Sequence, residues 1–251
     1  VMSLLIREIK VKSILTASRI SGVDYCINPY IGCEHGCRYC YATFMKRFTG
    51  HTEAWGSFVD VKVNAPEVLQ KQLKSITGGR VLISSVTDAY QPLEADYKIT
   101  RQCLEILLQH RFSVDILTKS ALVLRDIDLI KKFKDIEVGI TITTDNDAMR
   151  KIFEPKAPSI NKRIDTLKIL HNNGISTYVF IGPILPMNPE VLSEKTSPYV
   201  DSIIIDKMNY ITKTIKIYNH LKLSNWLEKD FINNIVQRLQ YNFCGKSVSI
   251  C

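Results

Sequence analysis

Strand-like and helix-like stretches alternate along most of this chain, and that alternation limits its fold more than any other feature. Short apolar runs at 25–30, 80–86, 113–117, 136–142, 175–181 and 202–205 read as six strands. Between them apolar residues recur at helical spacing: Leu69, Leu73 and Ile76; Ile99, Cys103, Ile106 and His110; Val123, Ile127 and Ile130; Ile160, Ile164 and Leu167. Asn64 reads as a helix cap, with Pro66 in the first turn and Glu67 reaching back, and Asn173-Gly174 reads as a helix stop. Residues 121–133 read as one helix, 41–48 as helix-compatible and 49–63 as irregular. Strands separated by helices predict an α/β fold with a parallel sheet. Right-handed crossovers curl such a sheet into a barrel or a twisted open sheet, and periodicity leaves both open.

The chain has 251 residues and no Gly/Pro/Ser-rich linker, so one domain is expected: an extended lead-in at 1–24, a core at 25–206 and a helical extension at 207–251, with helices at 210–220 and 225–239. Apolar residues make up 45%, enough for a globular core. No run approaches the roughly 18 apolar residues of a spanning helix. The first residues lack the pattern of a signal peptide, which points to a cytoplasmic, membrane-free protein. Seven cysteines, an odd number, suggest no disulfide framework and fit a reducing compartment. The net charge is +8, from 33 basic and 25 acidic residues. A basic surface attracts phosphate, so nucleic acid is one partner class; Lys-rich solvated faces are the plainer account.

Chemistry concentrates in Gly32-Cys33-Glu34-His35-Gly36-Cys37-Arg38-Tyr39-Cys40-Tyr41, where Cys33, Cys37 and Cys40 stand in a C-x3-C-x2-C spacing. A loop this short can present its thiolates to one face of a compact inorganic centre, with Gly32 and Gly36 permitting tight turns. Cysteine thiolates hold iron–sulfur clusters, and three ligands leave one iron of a cubane open for chemistry. Zinc also takes a C-x2-C pair, but a structural zinc wants four ligands, no second pair lies at finger spacing, and His35 sits inside the same short loop.

The triad, with Tyr39 before its third cysteine, resembles the signature of the radical S-adenosylmethionine (SAM) enzymes. T-D-A-Y-Q-P-L-E at 87–94 and E-P-K-A-P at 154–158 followed by Arg163 resemble the spore photoproduct lyase-like branch; the similarity runs from about Asn28 to Pro186. It implies a partial (β/α)6 barrel of the TIM type with C-terminal helices. It also implies a [4Fe–4S] cluster on Cys33, Cys37 and Cys40, and SAM on the open iron. An electron from a flavodoxin or ferredoxin-like donor then cleaves SAM to methionine and a 5′-deoxyadenosyl radical. In β/α barrels the active site lies at the C-terminal strand ends, where the unusual polar residues of this chain fall.

The resemblance puts the SAM adenine against Tyr39 and Tyr41, and a lysine like Lys119 against the SAM carboxylate. Thr87 and Asp88, just past the second strand, take the place of the Gly-Gly-Glu motif of many radical SAM enzymes and could accept from the SAM ammonium. Asp88 can equally be a turn residue. Thr141 and Thr143 lie on the same side of an alternating strand and would meet the ribose or carboxylate if they face inward; β-branched strand filling is the alternative. Glu154 and Arg163 either pair with each other or leave Arg163 for a carboxylate. Cys103 on its apolar helix face and Cys26 read as core. The stretch 84–87 lacks the hydrogen-donor cysteine of spore photoproduct lyase, which weakens direct thymine-dimer repair. No catalytic residue is assigned.

The reading is a radical SAM enzyme whose radical abstracts hydrogen from an unidentified substrate. Nucleic acid, modified or repaired, comes first, from the branch resemblance and the charge. Modification of a peptide or partner protein is second. A non-catalytic iron–sulfur protein that senses redox state is third.

Overall fold

The computed structural model describes residues 4–251. Among the described residues eleven strands form two sheets. In chain order they are β1 (Leu5–Ile9), β2 (Leu15–Ala17), β3 (Tyr25–Ile27), β4 (Tyr30–Ile31), β5 (Phe58–Lys62), β6 (Arg80–Ile83), β7 (Ser113–Thr118), β8 (Ile136–Thr141), β9 (Ser176–Ile181), β10 (Ser202–Ile205) and β11 (Ser247–Ile250). The larger sheet runs β11-β10-β9-β8-β7-β6-β3-β2. Its neighbours are parallel from β3 to β11, and β2 alone is antiparallel, on the outer side of β3. The six expected strands are all present, as the expected partial β/α barrel. Their C-terminal ends share one edge.

Most of the apolar residues expected to face inward are buried, and Ile76, Ile106 and Ile127 are half-buried against the core. Ile160, Ile164 and Leu167 are buried on the helix Ile160–Asn172, which packs on β8 and β9. Ile99 and Cys103 are buried on Ile99–Gln109, and Cys26 is buried on β3. No helix of the described residues is long and apolar enough to cross a membrane.

Five local expectations differ. The lead-in carries β1 and β2, and the stretch 49–63 contains β5, which is buried between β1 and β4 in the smaller sheet. Gly50 and Gly56 make that stretch read as irregular, but β1 and β4 supply its ladder, and His51 donates to Asp60 at 2.9 Å in the core. Asn64 does not cap its helix. Its side-chain amide instead clasps the backbone of Val11, at 2.8 Å to N–H and 2.9 Å to C=O. The helix expected at 121–133 is a 3-10 turn, Ala121–Asp126, followed by a single α turn, Ile127–Ile130. The region 207–251 contributes β11 besides helices Ile215–His220 and Lys229–Asn242. β11 is short and mostly exposed, so only the open edge of β10 makes it a strand.

Candidate active site

The loop from Gly32 to Cys40 leaves β4 at the C-terminal edge of the barrel, and segments remote in sequence brace it. Gln91 Oε1 accepts from Glu34 N–H at 2.9 Å, and Glu34 returns a carboxylate oxygen to Leu93 N–H at 2.7 Å. The Thr87 hydroxyl donates to Gly32 C=O at 2.6 Å. Arg38 N–H donates to Phe153 C=O at 2.8 Å, and Lys156 N–H to His35 C=O at 3.3 Å. The two motifs that carried the branch resemblance therefore act as a cradle for the cysteine loop. Gly36 and Gly56, both at positive φ, touch: a Cβ on Gly56 would stand 2.6 Å from Gly36 Cα.

Asp88 lies beneath the loop, buried, with both oxygens taken up. Oδ1 accepts from the Thr118 hydroxyl at 2.6 Å and Tyr90 N–H at 2.9 Å; Oδ2 accepts from Lys119 N–H at 2.9 Å and faces His35 Nε2 at 3.1 Å. Burial pushes its carboxyl up, but His35 and these donors more than offset that and hold it below the usual range. With Nε2 donating to Asp88, the buried Nδ1 of His35 is left without a partner.

Beside it, Glu154 accepts from Tyr39, Arg163 and Thr143. Burial raises this carboxyl, while Arg163 and Lys119 bring it down to about 2. Of the two readings for Glu154 and Arg163, the structure shows the pair. Tyr90 and Glu94 also point inward: Tyr90 donates to Asp126 at 3.0 Å, and Glu94 accepts from Tyr30 and Arg125.

Cys33, Cys37, Cys40, Tyr39, Tyr41, Thr87, Asp88, Lys119 and Thr141 line one cavity of about 390 Å³ at the C-terminal strand ends. Thr143 does not; β8 ends at Thr141, so strand alternation no longer governs position 143, and its hydroxyl turns to Glu154. The Tyr39 hydroxyl is occupied by Glu154 and that of Tyr41 by Ser85 C=O. Sequence reasoning missed the segment from Asp206 to Tyr210 after β10, which forms the facing wall. A carboxylate and an aromatic at a strand end were its only signal.

The residues fit the cofactors that the triad implies. Burial pushes the Cys37 thiol up to about 12 and raises those of Cys33 and Cys40, so metal binding must displace their protons. Among the described residues no three His, Cys, Asp or Glu side chains converge tightly enough for a single ion. A cubane takes each thiolate on a different iron and suits the wider span. Burial works against the Lys119 charge, but Cys37 and Glu154 sustain it, and none of the charges around it forms an ion pair with it. Half-buried in the cavity wall, this ammonium suits an anionic group such as a carboxylate.

The profile of the radical SAM superfamily matches residues 27–194. The chain belongs to the radical SAM superfamily. Its cofactors are therefore those of radical SAM enzymes, a [4Fe–4S] cluster and SAM. It is 42% identical over 231 residues to an uncharacterized protein of Methanocaldococcus jannaschii, covering 90% of this chain and 86% of the relative. It is 29% identical over 160 residues to a radical SAM Nalpha-GlyT isomerase of Pseudomonas phage M6, covering 63% of this chain and 32% of the isomerase. The fold of this radical SAM enzyme matches spore photoproduct lyase complexed with dinucleoside spore photoproduct at a TM-score of 0.71 and 13% identity, over 98% of this chain and 82% of the lyase. It also matches SuiB of Streptococcus suis bound to S-adenosylmethionine, at a TM-score of 0.54 and 13% identity, over 90% of this chain and 46% of SuiB.

Proposed function

We propose that this radical SAM enzyme modifies or repairs nucleic acid. The observation that carries the proposal is the charge around the cavity mouth. From His35 to Thr52 the chain has three cations, Arg38, Lys46 and Arg47, and no Asp or Glu; from Lys207 to Leu227 it has four lysines and again no Asp or Glu. The Lys213 ammonium joins the two segments, donating to Cys40 C=O and the Thr43 hydroxyl at 2.5 Å each. Beyond Asp206 at the end of β10, rim segments so poor in carboxylates concentrate phosphate at the entrance. The fold shared with spore photoproduct lyase, solved with a dinucleoside photoproduct, supports the same reading.

The bound cluster supplies the electron that splits SAM into methionine and a 5′-deoxyadenosyl radical. The chain does the positioning. Cys33, Cys37 and Cys40 would hold the cluster, Lys119 would take the SAM carboxylate, and Thr141 would offer a hydroxyl on the same wall. Tyr39 and Tyr41, which line the same cavity, would flank its adenine side. Asp88, carrying His35 and the backbone of Lys119, fixes these groups, as do Glu154 and Arg163 behind Tyr39. The Asp206–Tyr210 segment narrows the mouth and limits water at the reacting centre.

The test is anaerobic: reconstitute the protein, reduce it with dithionite, add SAM and measure 5′-deoxyadenosine by chromatography, with Cys37→Ala alongside. Product from the wild type alone, increased by oligonucleotides and not by peptides, is expected. Increase by peptides alone would replace the nucleic-acid reading with peptide modification. No product, even with cell extract, would leave a cluster protein with a redox-sensing role.

A further inference from the structure

Four aromatic side chains run in a row out of the cavity. Tyr210 and Tyr41 line it, with ring centroids 6.1 Å apart and planes 16° from parallel. Phe44 follows at 6.4 Å and 23°, and Phe48 stands edge-on to Phe44 at 6.4 Å. All four are exposed, Phe48 to 75%. They occupy two segments, the 3-10 helix Tyr41–Phe48 and the loop after β10, which are the two carboxylate-free segments of the rim. The cations among them are not neutralised by acids: Lys46 donates to Glu53 C=O, Lys207 to the Asn233 side chain, and Lys213 to Cys40 C=O while lying 5.3 Å over the Tyr210 ring.

A folded chain gains nothing from leaving four rings in water, so this arrangement calls for an occupant. Its chemistry selects one. Flat π faces in line, with cations alongside, suit unpaired bases on a phosphate backbone. In a duplex the base faces are covered by their neighbours, and exposed rings would find only phosphates and groove edges. A membrane would be met by an apolar face turned outward from the protein; this row instead begins inside the cavity and leads from it.

We propose that Tyr210, Tyr41, Phe44 and Phe48 form a stacking platform that takes a single-stranded or locally unpaired stretch of nucleic acid and feeds one base to the cavity. This rests on the nucleic-acid reading above and adds the state of the strand and the residues that hold it. Neither Phe44 nor Phe48 lines the cavity, and Phe44 reaches it only through Tyr41, so their substitution tests the strand and leaves the cluster and SAM groups in place. Arg47, between them and exposed, meets its phosphates.

The experiment is fluorescence anisotropy on the reconstituted holoprotein, with a labelled single strand of about 12 nucleotides, the matching duplex, and anionic phospholipid vesicles, at several salt concentrations. The wild type binds the single strand more tightly than the duplex. Phe44→Ala with Phe48→Ala weakens single-strand binding by about 10-fold or more. Arg47→Gln lowers the slope of log affinity against log salt by about 0.7. All variants keep the cluster absorbance and substrate-free SAM cleavage of the wild type, which shows that they are folded. Wild-type binding unchanged by the phenylalanine substitutions, or a preference for duplex, overturns the platform and leaves the nucleic-acid reading standing. No binding of any oligonucleotide at low salt overturns both. Vesicle binding that depends on Phe48, with strand binding unaffected, overturns the platform in favour of a membrane contact.

Discussion

Glu154 and Arg163 form an ion pair whose two side chains are both fully buried, directly behind Tyr39 of the cysteine loop. Arg163 also donates to Thr141 C=O at 3.1 Å and to Pro158 C=O at 3.0 Å, so the pair joins β8, the loop after Phe153 and the first turn of the helix Ile160–Asn172. Removing one partner leaves the other charge without compensation in the core. Arg163→Leu should cost about 3–5 kcal/mol of stability, read from the urea midpoint. A change under about 1 kcal/mol would mean that water reaches Glu154.

Asp88 is a hub for four donors rather than a free acceptor in the cavity. Asp88→Asn puts an amide N–H₂ against Lys119 N–H or the Thr118 hydroxyl, and one donor loses its partner. The expected cost is about 1–3 kcal/mol in unfolding. The loss also reaches Lys119, whose backbone Asp88 holds, so SAM affinity measured by equilibrium dialysis should fall about 10-fold. Lost stability with unchanged SAM affinity would restrict Asp88 to folding.

The contact of Gly36 with Gly56 predicts the effect of a single methyl group. Gly56 has φ +92°, and its Cβ would meet backbone at 2.6 Å, which cannot rotate aside. Gly56→Ala should destabilise by about 1–3 kcal/mol from overpacking alone. It should also cut the iron retained after reconstitution from about four per chain to a fraction of that, because the loop carrying Cys33 and Cys37 must shift. Wild-type iron content would show that the loop tolerates the displacement.

Tyr178 of β9 crosses Gly139 of β8, where a Cβ would lie 2.1 Å from the ring, and donates to Asp115 Oδ1 of β7 at 2.8 Å. Burial raises the Asp115 carboxyl from 3.8 to about 6, against the Tyr178 bond and Arg80. The folded protein therefore holds this proton more tightly than the unfolded chain. Stability from Asp115 is complete below about pH 4 and is lost as pH rises through about 6. Asp115→Asn should match the wild type near pH 4 and exceed it by about 1–2 kcal/mol near pH 7.5, in thermal unfolding at both pH values. Equal curves at both would show that Asp115 ionises as freely folded as unfolded.

The parts of this enzyme legible in the sequence are those whose physics is local. Cys33, Cys37 and Cys40 lie within one short loop, so their spacing already bounds the centre they can hold. The six inner strands and the faces of the long helices follow from periods of two and 3.6. Lys119 and Thr141 could be placed at the cavity because a strand's last residues fall at the C-terminal edge. Thr143 escaped the same rule because β8 ends two residues earlier.

What only the tertiary structure decided is what those residues touch. Asp88 could be a ligand or a turn until Thr118, Tyr90, Lys119 and His35 were seen around it. Glu154 and Arg163 had two readings until burial closed them on each other. β5, β11 and the clasp of Asn64 on Val11 depend on partners that no local pattern specifies. The same holds for the wall from Asp206 to Tyr210, and for the aromatic row that Tyr210 completes with Tyr41, some 170 residues away in the chain. A cysteine's chemistry travels with its neighbours in sequence, whereas the free energy of a buried charge, a strand edge or a ring face is set by whatever the fold brings against it.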